Sequence, residues 1–342
     1  MSERKELDVL LRNDFYSYVQ RVFYELGNEK FIPNWHLEVL CDALERARRG
    51  EIKRLIINVP PRSLKSIVVN VAYSTWLLGH NPKERIVSAS YSAELAEKFA
   101  RDSKIIMESE WYRRIFPRTV ISKNRSTPGD FNTTARGGRY TSSVDGTMTG
   151  RGGNVIIIDD PIKPSDVSSE SAINKVNEWY QHTMLSRLDD PQNGTIILIM
   201  QRVHENDLTG YLLENSNDWV HIKIPQIAIT DEVWPVGNKV FRRAAGRPLN
   251  PTRIDAQTLT ACQQNFGTYV WSAQYQQEPC PLEGGIVKES WLHYYPPEKF
   301  DIRNVARVFI SWDTANKTGA TNAYSAAVVV VMTYDRRFYL VG

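Results

Sequence analysis

The sequence of 342 residues predicts an α/β protein with a mostly parallel sheet flanked by helices, followed by the start of a second β-rich unit. Three observations predict this fold class. Short apolar runs of strand length alternate with longer stretches of helical periodicity. A strand–loop–helix–strand–helix order, which is typical of parallel sheets, begins at residue 54. Beyond residue 306, apolar runs follow one another without a helical stretch between them.

Composition is that of an ordinary globular protein, with 42% hydrophobic and 24% charged residues and a net charge of only +3. The three cysteines show no C-x-x-C spacing, so neither a zinc site nor a disulfide framework is indicated. We interpret them as reduced thiols. Because apolar runs stay short of a membrane span and the N-terminus is charged, we expect a cytoplasmic protein with no membrane partner.

The first 107 residues contain five predicted segments. Residues 6–50 have helical periodicity, and RLIINV (54–59) is a short buried strand. A helix is predicted over 65–80, stopped by glycine and an Asn-Pro pair. RIVSAS (85–90) is a second strand, and 92–107 a further helix. Together these segments predict helix-covered parallel strands.

From residue 118 onward the composition of the chain changes. Residues 118–153 are rich in Gly, Ser and Thr, predict hairpins and loops, and carry six basic residues against two acids. Such an excess of positive charge suits nonspecific contact with nucleic-acid phosphates, although an ordinary solvated loop is equally compatible. The remaining predicted segments are two buried strands (155–159, 195–200), a helix (170–188), a connecting region (225–300) and three strand-like runs (307–313, 326–335, 337–341).

The stretch NVPPRSLKSIVV (58–69) joins the first strand to a helix. Lys65-Ser66 stands where a phosphate-binding loop has its Lys-Ser, yet Leu64 and Val59 occupy positions where glycine is expected. A bulky residue at position 64 limits the backbone conformations that the loop can adopt. A strand-to-helix turn with a solvated Lys-Ser therefore remains an equal alternative for this stretch taken alone.

The donors available in this stretch favour phosphate binding. Pro60 and Pro61 have no N–H group and can only stiffen the exit from the strand. Residues 62–66 supply five consecutive N–H groups at the start of the predicted helix. Lys65 would reach the phosphates, Ser66 would hold Mg²⁺, and the Arg62 guanidinium suits charge that develops in phosphoryl transfer.

Two further strand ends support this interpretation. VIIIDD ends in Asp159 and Asp160, which could hold the metal through water and polarise the attacking water, respectively. TIILIM ends in Gln201 and Arg202, polar groups that could respond to the γ-phosphate. Strand capping before a proline, and ordinary polar capping, are the alternatives when each strand is considered alone.

The chain resembles the large terminase subunit of tailed bacteriophages, the motor that packages DNA into procapsids. The resemblance rests on IINVPPRSLKS, TGRGGNVIIIDDPIKP, LIMQRVHENDLTG, WSAQYQQEP and FISWDTA. It implies a P-loop ATPase of the ASCE type at residues 1–225, a connecting region at 226–300, and at 301–342 the beginning of a ribonuclease-H-like nuclease domain. We expect that domain to be incomplete, and therefore inactive as a nuclease in this chain.

The resemblance also implies residue roles. Lys65 and Ser66 match the Walker A residues, with Arg62, Ser63 and Leu64 completing the nucleotide-binding loop. Asp159 matches the Walker B aspartate, and Gln201 belongs to the coupling motif. Asp160 stands where most family members have a catalytic glutamate, so a shorter carboxylate would have to sit closer to the water.

Further roles concern the base, the neighbouring subunit and the nuclease. Trp35 or His36 lies where the family holds adenine, with Trp35 as a core residue an equal alternative. Arg151, or less readily Arg139, would act in trans as an arginine finger or contact DNA phosphates. Asp313 matches the first metal-binding aspartate of the nuclease, in which a divalent metal pair is expected.

The implied cofactors are ATP and Mg²⁺, and the implied partners are double-stranded DNA, a portal protein, a small terminase subunit and further copies of the chain in a ring. We expect the host cytoplasm as the location. Two alternatives remain at this point: a helicase-like ATPase, and an assembly protein that does not hydrolyse ATP. The acids of His204-Glu205-Asn206-Asp207 fit the first turn of a helix better than a metal site.

Overall fold

The computed structural model describes residues 3–27, 30–146, 150–167, 169–280, 293, 295–296, 300–313 and 326–341. The chain divides into two compact units, Met1–Gly285 and Ile286–Gly342.

The first unit is built on an eight-stranded sheet in the order β3-β4-β5-β2-β6-β7-β1-β8. The six strands from β5 to β8 pair in parallel, whereas β3 and β4 pair antiparallel at one edge. The predicted mostly parallel sheet is therefore confirmed. The strands are β1 (Arg54–Asn58), β2 (Arg85–Ser90), β3 (Ile121–Ser126), β4 (Phe131–Thr133), β5 (Gly138–Ser143), β6 (Val155–Asp159), β7 (Thr195–Met200) and β8 (Val220–Lys223).

Helices cover both faces of this sheet. The helix after the loop that follows β1 has a π-helical first part, Ile67–Tyr73, and an α-helical second part, Ser74–His80, together called α4. The other helices are α1 (Glu3–Asn13), α2 (Phe15–Glu25), α3 (Trp35–Arg48), α5 (Ala93–Glu108), α6 (Glu110–Ile115), α7 (Glu170–Trp179), α8 (Leu208–Asn215) and α9 (Ala256–Val270). Helix α7 continues as Tyr180–Met184, and α9 as Trp271–Tyr275.

The central strands are apolar along their whole length because both faces of the sheet are buried. In β1, Leu55 and Ile57 point into a core formed with α1 to α6, whereas Ile56 points into a second core formed with α7 and α8. Successive side chains of a strand alternate between faces, so each strand contributes to both cores. This double burial fixes the register in which the strand ends meet.

Residues 226–280, predicted as a connecting region, contain regular structure within the first unit. They form the antiparallel hairpin β9 (Glu232–Val236) and β10 (Lys239–Arg243), followed by α9. The segment is tied back to the helical layer where the Asn34 side chain donates to the Leu249 carbonyl at 3.0 Å.

The second unit is a three-stranded antiparallel sheet in the order β11-β12-β13. Its strands are β11 (Val305–Asp313), β12 (Ala326–Thr333) and β13 (Phe338–Leu340), which agree with the three predicted strand-like runs. Asp313 is the last residue of β11, and its side chain lies outside the described part of the chain.

Candidate functional site

The carboxyl ends of β1, β6 and β7 meet at one edge of the sheet. Asn58 of β1 is in register with Met200 of β7, and Asp159 of β6 with Ile199 of β7. This register brings the loop after β1 and the polar residues that follow β6 and β7 together. Ligands of open α/β sheets bind at this edge.

The loop after β1 has a conformation suited to an anion. Arg62 and Leu64 both have left-handed backbones, with φ of 59° and 62°. The helix begins directly behind them, with a bond of 3.0 Å from the Val68 N–H to the Leu64 carbonyl. Within the described residues, the N–H groups of Arg62, Ser63 and Leu64 donate to no acceptor. Consecutive N–H groups in such a turn at a helix N-terminus form a concave anion site.

Leu64 occupies a backbone conformation that glycine adopts far more readily. Its side chain is half-buried and packs against the core formed with α1 to α6. Apolar burial therefore offsets the backbone strain, and the position keeps the geometry of the expected glycine while carrying leucine.

Lys65 forms a buried ion pair with Asp160, with Nζ 2.8 Å from Oδ2. The other carboxylate oxygen of Asp160 accepts from the main-chain N–H of Gln201 at 3.1 Å. Burial opposes the charged form of Lys65, but attraction to Asp160 and Asp159 outweighs it and raises the pKa of the lysine. The loop lysine thus stays a cation, held against the acid at the end of β6.

Asp159 is fully buried and held by two donors from α4. Ser66 Oγ donates to Oδ1 at 3.1 Å, and Asn70 Nδ2 donates to Oδ2 at 2.6 Å. Ser66 and Asn70 are four residues apart, so they share one face of the helix. Burial and then the charge of Asp160 raise the pKa of Asp159 to about 7, against the opposing effects of Lys65 and the two donors.

Arg139 does not fit the roles of trans finger or DNA contact. Its side chain is fully buried under α4, where its guanidinium donates to the Asn70 carbonyl, to Ser74 Oγ at 2.7 Å and to Ser88 Oγ at 3.0 Å. A group enclosed in this way cannot reach another subunit or a DNA backbone. Desolvation lowers the pKa of Arg139 to about 9.

Two adjoining cavities lie beside the loop. One, about 430 Å³, is bounded by the loop residues and Arg253; the other, about 150 Å³, lies against His36 and Asn250. Their combined size is in the range of small-molecule pockets. The Arg253 guanidinium donates to the Arg62 carbonyl, and Arg253 lines both cavities. No sequence pattern marks this residue as part of the site.

His36 lies at the floor of the smaller cavity. Its Nε2 is 3.3 Å from the Ser63 carbonyl, and its Nδ1 is buried with no partner in the described part of the chain. Desolvation lowers the pKa of His36 to about 4, so the ring is neutral near pH 7. The ring thus lines the cavity, with Nε2 facing the loop and Nδ1 enclosed by the protein.

Trp35 is placed differently from its neighbour. The Arg243 guanidinium lies 5.3 Å from its ring centre, and the rings of Trp234 and Phe241 lie 6.1 and 6.4 Å away. Among the described residues, those that bound the two cavities include His36 but not Trp35. The structure thus gives Trp35 a packing role against the β9–β10 hairpin.

The residues after β7 link the site to the 269–279 segment. The Arg202 N–H donates to the buried Gln277 side chain at 2.9 Å, and the Tyr269 hydroxyl donates to the Val203 carbonyl at 2.9 Å. Gln201 contacts Asp160 through its main chain. One strand end therefore touches the carboxylate of the site on one side and the WSAQYQQEP motif on the other.

Asp207 belongs to this strand end as well. It is buried, caps α8 through the Gly210 N–H at 3.1 Å, and accepts the Arg202 Nε at 3.0 Å with both oxygens. These contacts use the carboxylate fully. Asp207 is therefore the N-cap of α8 rather than a residue of its first turn, which is the place that the sequence had predicted.

Arg151 is exposed, pairs with Asp130 and lies 5.5 Å from the ring centre of Tyr140. It is therefore on the surface, outside the loop and strand ends that form the site. Across the described ranges, no cluster of three or more His, Cys, Asp or Glu suited to a metal is found. Nor does any described helix have the length and hydrophobicity needed to cross a membrane.

A solved structure of a large terminase shares this fold. The HK97 bacteriophage large terminase matches 96% of this chain and 67% of its own length, at 13% identity and a TM-score of 0.51. This chain thus spans about two thirds of that protein.

Two weaker similarities are to phage proteins of the same kind. A mutant ATPase domain of the Thermus phage P74-26 large terminase matches 75% of this chain and 97% of its own, at 15% identity and a TM-score of 0.43. The large terminase of the thermophilic bacteriophage D6E, in complex with ATP-gamma-S, matches 89% of this chain and 67% of its own length, at 9% identity and a TM-score of 0.44. No protein-family model and no curated protein matches the sequence. The chain therefore has the fold of a large terminase, as its motifs predicted.

Proposed function

We propose that the chain is the ATP-hydrolysing DNA-packaging motor of a tailed-phage large terminase. One observation carries this proposal. Lys65 contacts Asp160, directly after β6, at 2.8 Å, and Ser66 contacts Asp159, the last residue of β6, at 3.1 Å, each across more than 90 residues of sequence. A loop lysine, a loop hydroxyl and two strand-end carboxylates are the groups that phosphoryl transfer from a nucleotide requires.

The nucleotide phosphates would lie against the free N–H groups of Arg62, Ser63 and Leu64. Lys65 would reach the β- and γ-phosphates from the same loop. The base would enter the smaller cavity, which His36 and Arg253 both line.

Ser66 and Asp159 fit a magnesium ion, because both present oxygen atoms at the place where phosphates would lie. Mg²⁺ commonly takes one or two protein ligands, completing its shell with waters and phosphates. When bound, it neutralises charge on the β- and γ-phosphates. Metal binding here does not need the cluster of acids that the described residues lack.

Asp160 would polarise the attacking water. With no nucleotide bound, its charge is shared with Lys65. Phosphate oxygens would compete for the lysine and leave the carboxylate free to accept a proton. Arg62 would stabilise charge on the transferred group, and Arg151 would do so from the surface of a neighbouring copy in a ring.

Gln201 would transmit the loss of the γ-phosphate from Asp160 to the rest of the protein. Double-stranded DNA would contact the exposed cations of the 118–153 segment, Arg118, Lys123 and Arg136, without reading its sequence. A portal protein and a small terminase subunit would be the packaging partners. Asp313 would be the first metal-binding carboxylate of the nuclease unit.

The decisive experiment measures ATP turnover and nucleotide binding in Lys65→Ala. Loss of turnover by at least about 1,000-fold is expected, because both the phosphate ligand and the partner of Asp160 are removed. Lys98→Ala is the matched control, since Lys98 pairs with Asp102 at 2.7 Å on an exposed helix face. Full turnover in Lys65→Ala would contradict the proposal.

The same measurements separate the alternatives. Nucleotide binding by the unsubstituted chain without any turnover, even with DNA and the portal added, would favour an assembly protein. Strand separation of duplex DNA coupled to turnover would favour a helicase-like enzyme.

A further inference from the structure

Asn70 lies behind the proposed metal site and is fully buried. Its Nδ2 donates to Asp159 Oδ2 at 2.6 Å. Its Oδ1 accepts from Ser88 Oγ at 2.6 Å and from the Arg139 guanidinium at 3.1 Å. The amide therefore bridges a buried carboxylate and a buried guanidinium.

The orientation of this amide is determined by its partners. A guanidinium has donors only, so the oxygen of Asn70 must face Arg139. The NH₂ group then faces Asp159, whose Oδ2 accepts from it at 2.6 Å. A rotated amide would set donor against donor on one side and acceptor against acceptor on the other. Arg139 thereby determines which group Asn70 presents to Asp159.

Stability alone does not explain why an arginine stands at position 139. Its side chain has no ion pair with a carboxylate in the described part of the chain, and its Nε has no partner there. A buried guanidinium without a direct counter-ion loses more solvation than an apolar side chain of similar size. What the group provides is a fixed fork of donors, aimed at Asn70, Ser74 and Ser88.

We propose that Asn70, oriented by Arg139 and Ser88, is a positioning residue that holds Asp159 in the rotamer required for magnesium binding. The inference rests on the proposed function. Ser66 holds one oxygen of Asp159, so fixing the other oxygen fixes the plane of the carboxylate. Outer-shell partners that orient a metal-binding carboxylate typically change metal affinity by about 10- to 100-fold.

The test is calorimetric binding of ADP to the whole chain with and without Mg²⁺. The ratio of the two dissociation constants gives the magnesium enhancement. In Asn70→Ala we expect this ratio to fall by about 10-fold or more, with metal-free ADP affinity unchanged. Ser88→Ala and Arg139→Lys should lower it by smaller factors, because each removes a donor that orients the amide.

Ser74→Ala is the matched control. Ser74 is a buried serine that accepts from the same guanidinium, at 2.7 Å, without touching Asn70 Oδ1 or Asp159. Its magnesium enhancement should equal that of the unsubstituted chain, and thermal unfolding identifies any variant that fails to fold.

Equal enhancement in Asn70→Ala and the unsubstituted chain would overturn the positioning role alone. So would a loss in Ser74→Ala as large as that in Asn70→Ala, which would indicate a general loosening of the buried layer rather than a contact with Asp159. Absence of ADP binding by the unsubstituted chain would instead overturn the proposed function, and this role with it.

Discussion

Lys65 and Asp160 neutralise each other in the free protein, 2.8 Å apart at the carboxyl edge of the sheet. The group proposed to bind phosphate therefore holds the group proposed to activate water. An enzyme arranged in this way keeps its base occupied until phosphate oxygens compete for the lysine.

Asp160→Asn separates the two roles. It removes the base but leaves Lys65 free for phosphate, so nucleotide affinity should be kept while ATP turnover falls by about 100-fold or more. Single-turnover hydrolysis and calorimetry measure the two quantities. Asp166→Asn, an exposed acid a few residues further on, should change neither. Turnover within about 3-fold of the unsubstituted chain would exclude Asp160 as the base.

Leu64 allows a direct test of the loop backbone. Glycine normally destabilises a folded protein by roughly 0.5–1 kcal/mol relative to alanine. Leu64 has a φ of 62°, a left-handed backbone that costs a non-glycine residue roughly 1–2 kcal/mol. At this position the glycine variant should therefore be at least as stable as the alanine variant.

Urea unfolding of Leu64→Gly and Leu64→Ala measures this difference. The same pair of substitutions at Leu95, a half-buried residue of α5, should show alanine as the more stable. A clear advantage of alanine at position 64 would contradict the left-handed conformation.

Substitution of Asp207 tests how much its ion pair with Arg202, after β7, contributes to stability. Asp207→Ala should lower the unfolding free energy by about 3–5 kcal/mol, because it leaves the buried Arg202 without its partner. Asp255→Ala removes a comparable helix cap at the start of α9, where the carboxylate is exposed, and should cost only about 1 kcal/mol. Similar losses in both variants would mean that capping alone accounts for the role of Asp207.

His36 should make stability depend on pH below neutrality. Its pKa is lowered to about 4 in the folded protein from 6.5, so the unfolded chain binds more protons between those values. The free energy of unfolding should therefore fall as pH drops from 6.5 towards 4. His36→Gln should remove up to about 3 kcal/mol of this dependence.

His221, whose pKa burial also lowers to about 4, is present in both proteins, so the difference between them isolates His36. Unfolding measured at several pH values gives the two slopes. Parallel slopes in the two proteins would show that His36 is not buried as a neutral ring.

Strands such as β2, β6 and β7 could be predicted to the residue, because an apolar run buried on both faces has sharp polar boundaries. The β9–β10 hairpin is not predicted, because the proline in β9 and the exposure of most of its residues weaken the strand pattern on either side of Gly237-Asn238. Its position follows instead from packing against α3, through Trp35, Trp234 and Phe241.

The candidate site shows the same division. The loop and the Asp-Asp pair could be predicted because each carries a local pattern. The buried role of Arg139 could not be predicted, since a basic residue in a Gly-rich segment is usually expected on the surface. Its partners Asn70, Ser74 and Ser88 come from other elements, 69, 65 and 51 residues away, at distances that no local spacing reveals. Arg253 was missed for the same reason.

The N–H groups of Arg62, Ser63 and Leu64 have no acceptor among the described residues, so their exchange with solvent should show whether phosphate is bound to the loop. Amide hydrogens without an acceptor exchange with solvent as soon as water reaches them. These three should exchange fast in the free protein, although they adjoin a buried strand, and become protected when phosphate oxygens accept from them. Hydrogen–deuterium exchange of a single short peptide would then show how many copies in an assembly hold nucleotide.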